Sequence, residues 1–451
     1  MEARSEEATR ERAGRRRYHR EDDRPSQIVA QRPGMKDERE LETRAGETTP
    51  GGAPSSDLGH MLAVGLTGYF AFLDVYITQP LLPLLSRQYR ASELAVSLTI
   101  SAVTLAIALA APLTGLLADR VGRKRVIVGG MLALAAPTIL ASQASSLASL
   151  VHWRFLQGLF VPAIFVVTIA YVTEEWKAKR AALAMSVYVV GTVLGGVSGR
   201  FFAGLITARW GWRAAFAALG LLTILGAALT WKWLPGARRF ARAADWRSTL
   251  RAAAGHLRNP RLLATFAIGF NLLFALVAAF TYVVFELAAP PFHLGAAALG
   301  MVYFAYLPSL LFLPRAGRWT GRVGHRKALV AALAVTAAGT LLTLWPRLAP
   351  ILAGLALCSG GLFAAQAAAT GYLGIEARQA RSSAAGLYAS LYYVGGSLGG
   401  ILPGIFWARF HWLACVALML IAEALAVALA FRFWQARMPA APAAGAVPEA
   451  V

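Results

Sequence analysis

Asp74 is a carboxylate near the middle of a long apolar segment, in the stretch FLDVYITQPLLPLL. A charged side chain inside a membrane span is costly, so a carboxylate in this position is expected to have a function. It could take up a proton and release it again. Arg154 and Arg200 lie in other apolar segments. A rise of ~1.5 Å per helical residue gives depths in the membrane at which Asp74 can meet one of these arginines, provided that the two side chains point toward each other.

Asp74 and Arg154 together predict a proton-coupling site. A proton on Asp74 would release Arg154 and change which conformational state is favoured, while a substrate would compete for the same groups. The alternative is a permanent structural ion pair between the two side chains. Arg200 lies in the glycine-rich segment GGVSGR and is interpreted as a structural or gating group. Glu286 and Glu423 are further candidates for a proton site.

Long apolar segments must position these groups. The 451 residues are 57% hydrophobic and 15% charged, which lies outside the balance of a soluble globular domain. Segments of ~20 apolar residues, the length needed to cross a bilayer core, recur about twelve times. The predicted spans are residues 61–85, 94–118, 126–143, 147–173, 181–206, 212–234, 261–287, 296–314, 328–345, 350–374, 383–406 and 412–434. The sequence therefore predicts an all-α membrane protein with twelve transmembrane helices.

Basic residues are concentrated in alternate loops between these spans. The loops after the second, fourth, sixth, eighth and tenth spans carry most of the cations, and the positive-inside rule places such loops in the cytoplasm. Both termini are therefore predicted to be cytoplasmic, with residues 1–57 and 435–451 as tails, the first of them disordered. Because the net charge of +21 follows this loop pattern, nucleic-acid binding is not predicted.

The two halves of the chain repeat each other. VGTVLGG, which begins at Val190, returns as VGGSLGG at Val394. Between the halves, the polar segment 235–260 is either a basic amphipathic helix on the membrane surface or only a linker. Two pseudo-symmetric six-helix bundles, residues 58–234 and 261–434, are a layout of secondary transporters, and pseudo-symmetry within one chain suggests a functional monomer.

The stretch GLLADRVGRK, residues 115–124, joins two spans and returns in altered form as GRWTGRVGHRK. Its glycines permit close helix approach and a tight turn, while Asp119 can pair with arginines or face a helix N-terminus of the other half. A pair that forms in only one conformational state would act as a latch and bias the equilibrium by about 1–3 kcal/mol. The predicted gating and latch residues are Gly115, Asp119, Arg120, Gly122, Arg123 and Arg200. The alternative is a loop that only sets orientation.

GLLADRVGRK resembles the signature loop of the major facilitator superfamily, and RFLQG at Arg154 is similar to the fourth-helix motif of its drug:proton antiporters. GGVSGR, YVTEEW and GLFAAQ resemble the YnfM-type subgroup of bacterial inner-membrane efflux transporters. The resemblance covers residues 61–434 and implies the major facilitator fold, a bacterial inner-membrane location and, at Asp74, an aspartate that many of these antiporters carry. It departs from the antiporter pattern at Val197-Ser198, where a Gly-Pro pair is usual, so symport stays open beside antiport.

Polar and aromatic residues on the first, fourth, seventh and tenth helices usually line the pathway of this fold. The candidates for the substrate cavity are Tyr76, Gln79, Gln157, Asn271, Tyr282 and Gln366. The alternative for each of them is a hydrogen bond to the backbone of a neighbouring helix.

No motif in the sequence indicates an enzyme. It contains neither a GxxxxGK[ST] phosphate loop nor HExxH, and its two cysteines lie inside apolar runs, so no catalytic residue, cofactor or metal is predicted. The predicted partners are a small-molecule substrate, protons and the lipid bilayer. The predicted function is proton-coupled efflux of small hydrophobic or amphiphilic molecules. The alternatives are proton-coupled uptake of a sugar or organic acid, and a non-transporting membrane sensor.

Overall fold

The computed structural model describes residues 54–176, 178–236 and 254–435, which form helices and turns without a strand. The α-helices are α1 Pro54–Leu73, α2 Leu82–Tyr89, α3 Glu93–Val121, α4 Arg123–Ala141, α5 Leu147–Glu175, α6 Ala178–Trp233, α7 Pro260–Ala288, α8 Ala296–Met301, α9 Leu307–Val323, α10 His325–Leu342, α11 Leu348–Glu376 and α12 Arg381–Phe433. Two 3₁₀ helices, η1 Gln79–Leu81 and η2 Val302–Tyr306, precede α2 and α9. Residues 54–234 are called the first half and residues 254–435 the second half.

Seven of the described helices are long and apolar enough to cross a membrane, and α8 with α9 adds an eighth if the bent pair is one span. Two of the seven, α6 and α12, contain 56 and 53 residues. Each is interrupted by one residue outside helical geometry, Gly211 with a φ of 82° and His411 with a φ of 45°. The described chain is therefore an all-helical multi-pass membrane protein, while the count of twelve crossings stays a prediction.

The first predicted span, residues 61–85, is not one continuous helix. Helix α1 ends at Leu73, residues 74–78 form turns, and η1 and α2 follow. Pro80 and Pro83 explain the break, because proline lacks the amide N–H and its ring clashes with the carbonyl group four residues earlier. The chain consequently contains irregular backbone in the middle of an apolar segment, which is tolerated only where other protein groups satisfy it.

Tight turns at Gly122 and Gly324 join α3 to α4 and α9 to α10. Both glycines have a positive φ, 100° and 86°, which residues with a side chain rarely adopt. Gly122 thus forms a tight turn, while its role in gating stays a prediction. The end of the molecule that carries these two turns is rich in Arg and Lys, at residues 123–125 and 326–327, and is called the basic end. The other end, where α3 and α5 begin, is called the opposite end.

The repeated glycine motif packs pairs of helices closely together. A Cβ atom on Gly195 of α6 would collide with the carbonyl oxygen of Tyr69 on α1. In the second half, a Cβ atom on Gly395 of α12 would collide with the carbonyl oxygen of Phe270 on α7. The motifs VGTVLGG and VGGSLGG therefore allow backbones to touch, a common use of small residues between membrane helices.

Several predicted regions lie outside the described residues. They include residues 1–53 of the predicted N-terminal tail, residues 237–253 of the segment between the halves, and residues 436–451 at the C-terminus. The side chains of Asp119 and Arg120 and the surroundings of Gly115 also lie outside the described part, although their backbone belongs to α3.

Candidate functional site

The guanidinium group of Arg154, on α5, fills the break that follows α1. The amide of Gln79 donates to the carbonyl of Tyr76 at 3.0 Å, so the carbonyl of Val75 lacks the amide partner that a continuous helix would give it. Arg154 Nη2 donates to that carbonyl, and Nη1 donates to the carbonyl of Asp74 at 2.8 Å. The arginine therefore satisfies the backbone that the proline-induced break exposes.

All three nitrogen atoms of the Arg154 guanidinium have acceptors in the protein. Its Nε donates to the carbonyl of Thr99 on α3 at 3.2 Å, and Nη1 also donates to Gln157 Oε1 at 2.6 Å. Gln157 Nε2 in turn donates to Thr138 Oγ1 on α4 at 2.5 Å. Because Arg154 is completely buried, these bonds fix the break against α3, α4 and α5.

The carboxylate of Asp74 lies beside this network but does not pair with the arginine. Asp74 Oδ2 accepts hydrogen bonds from Thr223 Oγ1 at 2.9 Å and from Thr138 Oγ1 at 3.3 Å. Asp74 Oδ1 has no hydrogen-bond partner among the described residues, and the side chain is completely buried. The structure thus brings Asp74 and Arg154 into contact, through the backbone carbonyl of Asp74 rather than through a carboxylate–guanidinium ion pair. Their role in proton coupling stays a prediction.

Arg200, on α6, occupies a different environment made of aromatic rings. The centroids of the Tyr76, Tyr303 and Tyr306 rings lie 4.6, 4.8 and 5.3 Å from its guanidinium carbon. Arg200 Nε donates to Gln79 Oε1 at 2.7 Å, and Nη1 donates to the carbonyl of Gly196 at 2.7 Å. Rings from both halves therefore surround one buried cation, an arrangement stabilised by cation–π attraction.

A cavity of about 230 Å³ lies between the halves and is lined by Arg200. The first half also contributes Phe72, Tyr76, Thr192, Val193 and Gly196 to its wall, and the second half contributes Leu273, Leu276, Tyr306, Phe363, Gln366, Tyr392 and Tyr393. A second cavity of about 430 Å³ shares Gln366, Tyr392 and Tyr393 with the first. It extends to Ala377 and Arg381, where α11 ends and α12 begins. The linings of the two cavities together extend from Arg200 to the basic end.

Hydrogen bonds between the halves close the cavity toward the opposite end. Ser101 Oγ on α3 donates to the carbonyl of Ser397 on α12 at 2.9 Å, and Ser397 Oγ donates to the carbonyl of Ser101 at 3.1 Å. Ser97 Oγ and the Tyr282 hydroxyl both donate to the carbonyl of Gly400 at 2.7 Å. Because α3, α7 and α12 all contribute, the seal joins the first half to the second.

At the basic end, Arg123 forms a bidentate ion pair with Glu174. Arg123 Nη2 lies 2.7 Å from Glu174 Oε1, and Nε donates to Oε2 at 3.2 Å. This pair joins the beginning of α4 to the end of α5 within the first half. The predicted latch at Asp119 and Arg120 falls on side chains outside the described part of the chain, so it stays a prediction.

The predicted cavity residues take several positions. Tyr76 and Gln366 line the first cavity, and Gln79 holds Arg200 while its Nε2 donates to Thr281 Oγ1 on α7 at 3.0 Å. Gln157, Asn271 and Tyr282 are absent from the described lining of both cavities. Gln157 accepts a hydrogen bond from Arg154, and Asn271 donates to the carbonyl of Ala267 in the same helix, α7, at 2.8 Å. Tyr282 donates to the carbonyl of Gly400 in the seal. The further proton-site candidates are apart from the cavities: Glu423 accepts from Thr340, and Glu286 is near the end of α7.

Sequence reasoning missed the tyrosines of the second half that complete the site. Tyr303 and Tyr306 belong to η2, and Tyr392 and Tyr393 belong to the first part of α12. The available signal was the clustering of tyrosine in VYFAY and LYYV inside apolar segments. Tyrosines in the middle of a span carry a hydroxyl that needs a partner or a polar cavity.

These features define a class of protein. A multi-pass helical membrane protein with a cavity between two halves, reaching one end and sealed at the other, has the form of a membrane transporter. Residues 64–305 match the family model described as Major Facilitator Superfamily, and the chain belongs to this family of secondary transporters. The predicted family is therefore confirmed.

Curated relatives agree with this assignment. The chain is 33% identical to "Inner membrane transport protein YnfM" of Escherichia coli (strain K12), over 80% of this chain and 87% of that protein. It is 30% identical to "Uncharacterized MFS-type transporter YybF" of Bacillus subtilis (strain 168), over 78% of this chain and 87% of that protein. The predicted resemblance to the YnfM subgroup is thus confirmed.

Solved structures show the same fold at low sequence identity. A bacterial homolog of the human lysosomal transporter Spinster has a TM-score of 0.69 and 15% identity, covering 86% of this chain and 100% of that one. A point mutant of the nucleoside transporter NupG has a TM-score of 0.67 and 17% identity, covering 83% of this chain and 98% of that one. These likenesses support the helical transporter fold.

Proposed function

We propose that the protein is a proton-coupled transporter of the bacterial inner membrane that exports small hydrophobic or amphiphilic molecules by alternating access. The observation that carries the proposal is the cavity between the halves, which reaches the basic end and is sealed at the opposite end. This arrangement corresponds to one of the two states that alternating access requires. Breaking the serine and tyrosine seal while closing the basic end would give the other state.

The topology proposed for this function has twelve crossings in two six-helix bundles. At 1.5 Å per residue, α6 and α12 are each about 80 Å long, more than twice the ~30 Å thickness of a bilayer core. Each is therefore proposed to supply two crossings, which would meet at Gly211 or His411. The positive-inside rule then places the basic end and both termini in the cytoplasm. The protein is proposed to work as a monomer, because both halves of the cavity come from one chain.

Asp74 is the proposed proton-binding residue. Its buried carboxylate has one oxygen atom without a partner among the described residues, and burying a charge in this way is costly unless a proton neutralises it. The broken segment at residues 74–81 connects this carboxylate to the cavity, because it also carries Tyr76 and Gln79, which contact Arg200. A change in the hydrogen bonds of Asp74 would shift this segment and so reach the substrate site. Arg154 is proposed to hold the segment together rather than to exchange partners with Asp74.

The predicted latch at the basic end is retained in the proposal. In this proposal, Asp119 pairs with arginines or faces a helix N-terminus of the other half in one state of the cycle, and the pair is broken in the other state. The glycine turns at Gly122 and Gly324 hold the adjoining helix ends in fixed positions. The latch would then set the balance between the two states.

Proton-coupled uptake of an organic acid is the second candidate. The presence of Arg200 in the cavity favours it, because a guanidinium group suits a carboxylate. Export is preferred because the cavity wall is mainly aromatic and aliphatic, which suits amphiphilic compounds better than sugars.

The test uses everted membrane vesicles that carry a lumenal pH dye and have been acidified by respiration. Lipophilic cations, neutral drugs, amphiphilic anions and sugars are added in turn to vesicles with wild type, Asp74→Asn or Glu423→Gln. Glu423 is the matched control because it is another buried carboxylate bound by a threonine, with Thr340 Oγ1 3.3 Å from Glu423 Oε1.

We expect at least one compound to release lumenal protons with wild type and with Glu423→Gln, but not with Asp74→Asn. Release by all three proteins would retain export and remove Asp74 from the proton path. If no compound acts on the wild type, proton-coupled export is rejected, and uptake is tested by the same dye in right-side-out vesicles.

A further inference from the structure

Arg200 is a buried cation without an acidic partner. It is 5% exposed, and no carboxylate among the described side chains forms an ion pair with it. The carboxylate of Asp74 is bound by Thr138 and Thr223, and Glu174 is bound by Arg123. A buried charge without a counter-ion is uncommon in membrane spans, where it indicates a functional site.

The guanidinium also has donors to spare. An arginine side chain carries five N–H groups. In the described part of the chain, Nε and Nη1 of Arg200 donate to Gln79 and Gly196, whereas Nη2 donates to no acceptor. Arg154 differs, because each of its nitrogen atoms has an acceptor. The protein therefore holds Arg200 through Nε and Nη1, and the N–H groups of Nη2, called the donor edge, have no acceptor among the described residues.

The surroundings of Arg200 select the charge of a ligand. The described residues that line the two cavities include two arginines, Arg200 at the inner end and Arg381 near the basic end, and no acidic residue. A cationic compound in this space would meet only like charge, while an anion would meet a positive charge at both ends. The rest of the first cavity is mainly apolar, with Phe72, Leu273 and Phe363 in its wall.

We infer that Arg200 binds the anionic head group of an amphiphilic organic anion, whose apolar part lies against the aromatic and aliphatic wall of the first cavity. This inference rests on the proposed function, because it takes the cavity to be the transport pathway. The rings of Tyr76, Tyr303 and Tyr306 keep the guanidinium oriented, and Gln79 fixes its Nε, so the donor edge is preorganised for a carboxylate, sulfonate or phosphate group. Arg200 was predicted to be a gating group, and the same contacts with both halves would let a bound anion influence gating.

The test measures equilibrium binding by isothermal titration calorimetry to the full-length protein in phosphatidylcholine nanodiscs. The probes are octanesulfonate and octyltrimethylammonium, which have the same chain length and opposite permanent charges. Empty nanodiscs provide the blank for partition into lipid. Because the sulfonate stays ionised and no gradient is present, the result does not depend on proton coupling. Failure of the vesicle test and failure of this test are therefore distinguishable.

We expect the wild type to bind octanesulfonate and not octyltrimethylammonium. Arg200→Gln should raise the Kd for octanesulfonate about 10- to 100-fold, because a charge-assisted hydrogen bond is lost. Arg209→Gln, at an exposed position on the same helix, is the matched control and should leave the Kd unchanged. Arg200→Lys keeps the charge and should fall between wild type and Arg200→Gln.

Three results would overturn the inference: no binding of octanesulfonate by the wild type, equal or tighter binding of the cation, or an unchanged Kd in folded Arg200→Gln. If Arg200→Gln does not fold, the inference is judged by two other results. It stands if the wild type prefers octanesulfonate and Arg200→Lys raises the Kd for it, and it is overturned if either result is absent. A second set of nanodiscs with phosphatidylglycerol identifies the source of the anion. Weaker sulfonate binding there indicates competition by an anionic lipid head group, and equal binding indicates a free amphiphile.

Discussion

Two buried arginines of the first half, Arg154 and Arg200, differ in what they bind. Arg154 donates from all three of its nitrogen atoms, to the carbonyls of Asp74, Val75 and Thr99 and to a glutamine side chain. Arg200 has two acceptors in the described structure, three aromatic rings around it and a cavity in front of it. Both are costly charges inside apolar helices, yet only Arg154 has an acceptor for each of its three nitrogen atoms among the described residues.

This difference separates structure from function more reliably than the residue type does. Sequence alone favoured Arg154 as the functional partner of Asp74 and Arg200 as a structural or gating group. We propose the reverse assignment, because Arg154 donates to three backbone carbonyls and would have to give up a bond that holds the fold before those donors could bind a ligand. The proline-induced break after α1 is what creates that demand for Arg154.

The largest expected effect comes from replacing Arg154. Arg154→Lys keeps the charge but offers donors from one nitrogen atom, so it cannot reach the carbonyls of Asp74, Val75 and Thr99 together. Leaving buried carbonyls unsatisfied should cost about 3 kcal/mol or more, and little folded protein should be recovered. Size-exclusion chromatography and Tm measurements in detergent check this, with Arg200→Lys as the matched control.

Arg200→Lys should yield a folded protein with a smaller loss of Tm, because Arg200 donates to only one backbone carbonyl and to one side chain among the described residues. The comparison between the arginines fails if Arg154→Lys is as stable as wild type, or if Arg200→Lys is the less stable of the two.

Much of the helical framework could be predicted from the sequence. The span predicted at residues 147–173 corresponds to α5, Leu147–Glu175, and the span at residues 261–287 to α7, Pro260–Ala288. Long apolar runs bounded by Ser146 and Asn259 fix these helices, since both residues cap the helix that follows them by accepting backbone amide hydrogen bonds. Composition and capping are local properties, so a sequence reveals them.

The site was less predictable, because it depends on contacts between distant helices. The break at residues 74–78 had a local signal in Pro80 and Pro83. A hydropathy value averaged over a whole span does not reveal a break of this length, because the residues around it are still apolar. The rings around Arg200 come from the turn after α1 and from η2, while Arg200 itself lies on α6, and the position of Tyr306 relative to Arg200 follows only from how the two halves pack. Likewise, nothing in the local sequence indicates that Arg154 reaches the backbone of Asp74 rather than its carboxylate.

The halves also differ in their buried carboxylates. Thr138 and Thr340 occupy matching positions, sixteen residues after their respective turn glycines, and each lies 3.3 Å from a carboxylate oxygen, of Asp74 and of Glu423. Neither carboxylate forms an ion pair in the described structure, but Asp74 directly follows the end of α1 and its backbone carbonyl binds Arg154, whereas Glu423 lies within the continuous second part of α12. Both halves therefore contain a buried carboxylate at a matching threonine. In the first half, that carboxylate belongs to the broken segment that also places Tyr76 in the cavity wall.

A smaller expected effect concerns the bond that ties Asp74 to the second part of α6. Thr223→Val removes the hydroxyl group that donates to Asp74 Oδ2 at 2.9 Å and keeps the shape of the side chain. The free energy of unfolding should fall by about 1–3 kcal/mol, since the buried carboxylate loses a donor. Reversible unfolding in mixed detergent and dodecyl sulfate micelles measures the change.

Thr230→Val is the control for that experiment. Thr230 lies on the same helix and is also buried, but its hydroxyl has no partner among the described residues. Its replacement should leave the free energy of unfolding unchanged or raise it slightly. Equal losses in the two variants would mean that the threonine–aspartate bond contributes nothing specific.

The smallest expected effect tests the rings around Arg200. Tyr306→Leu removes a ring whose centroid lies 5.3 Å from the guanidinium carbon, and the loss of one cation–π contact should cost about 1 kcal/mol in the free energy of unfolding. Tyr306→Phe keeps the ring and should match wild type. If the rings compensate Arg200 in place of a carboxylate, octanesulfonate should restore part of the stability lost in Tyr306→Leu, because the bound anion supplies the missing attraction to the cation. A Tyr306→Leu variant as stable as wild type would instead mean that another group balances the charge of Arg200, and the contrast with the saturated Arg154 would then disappear.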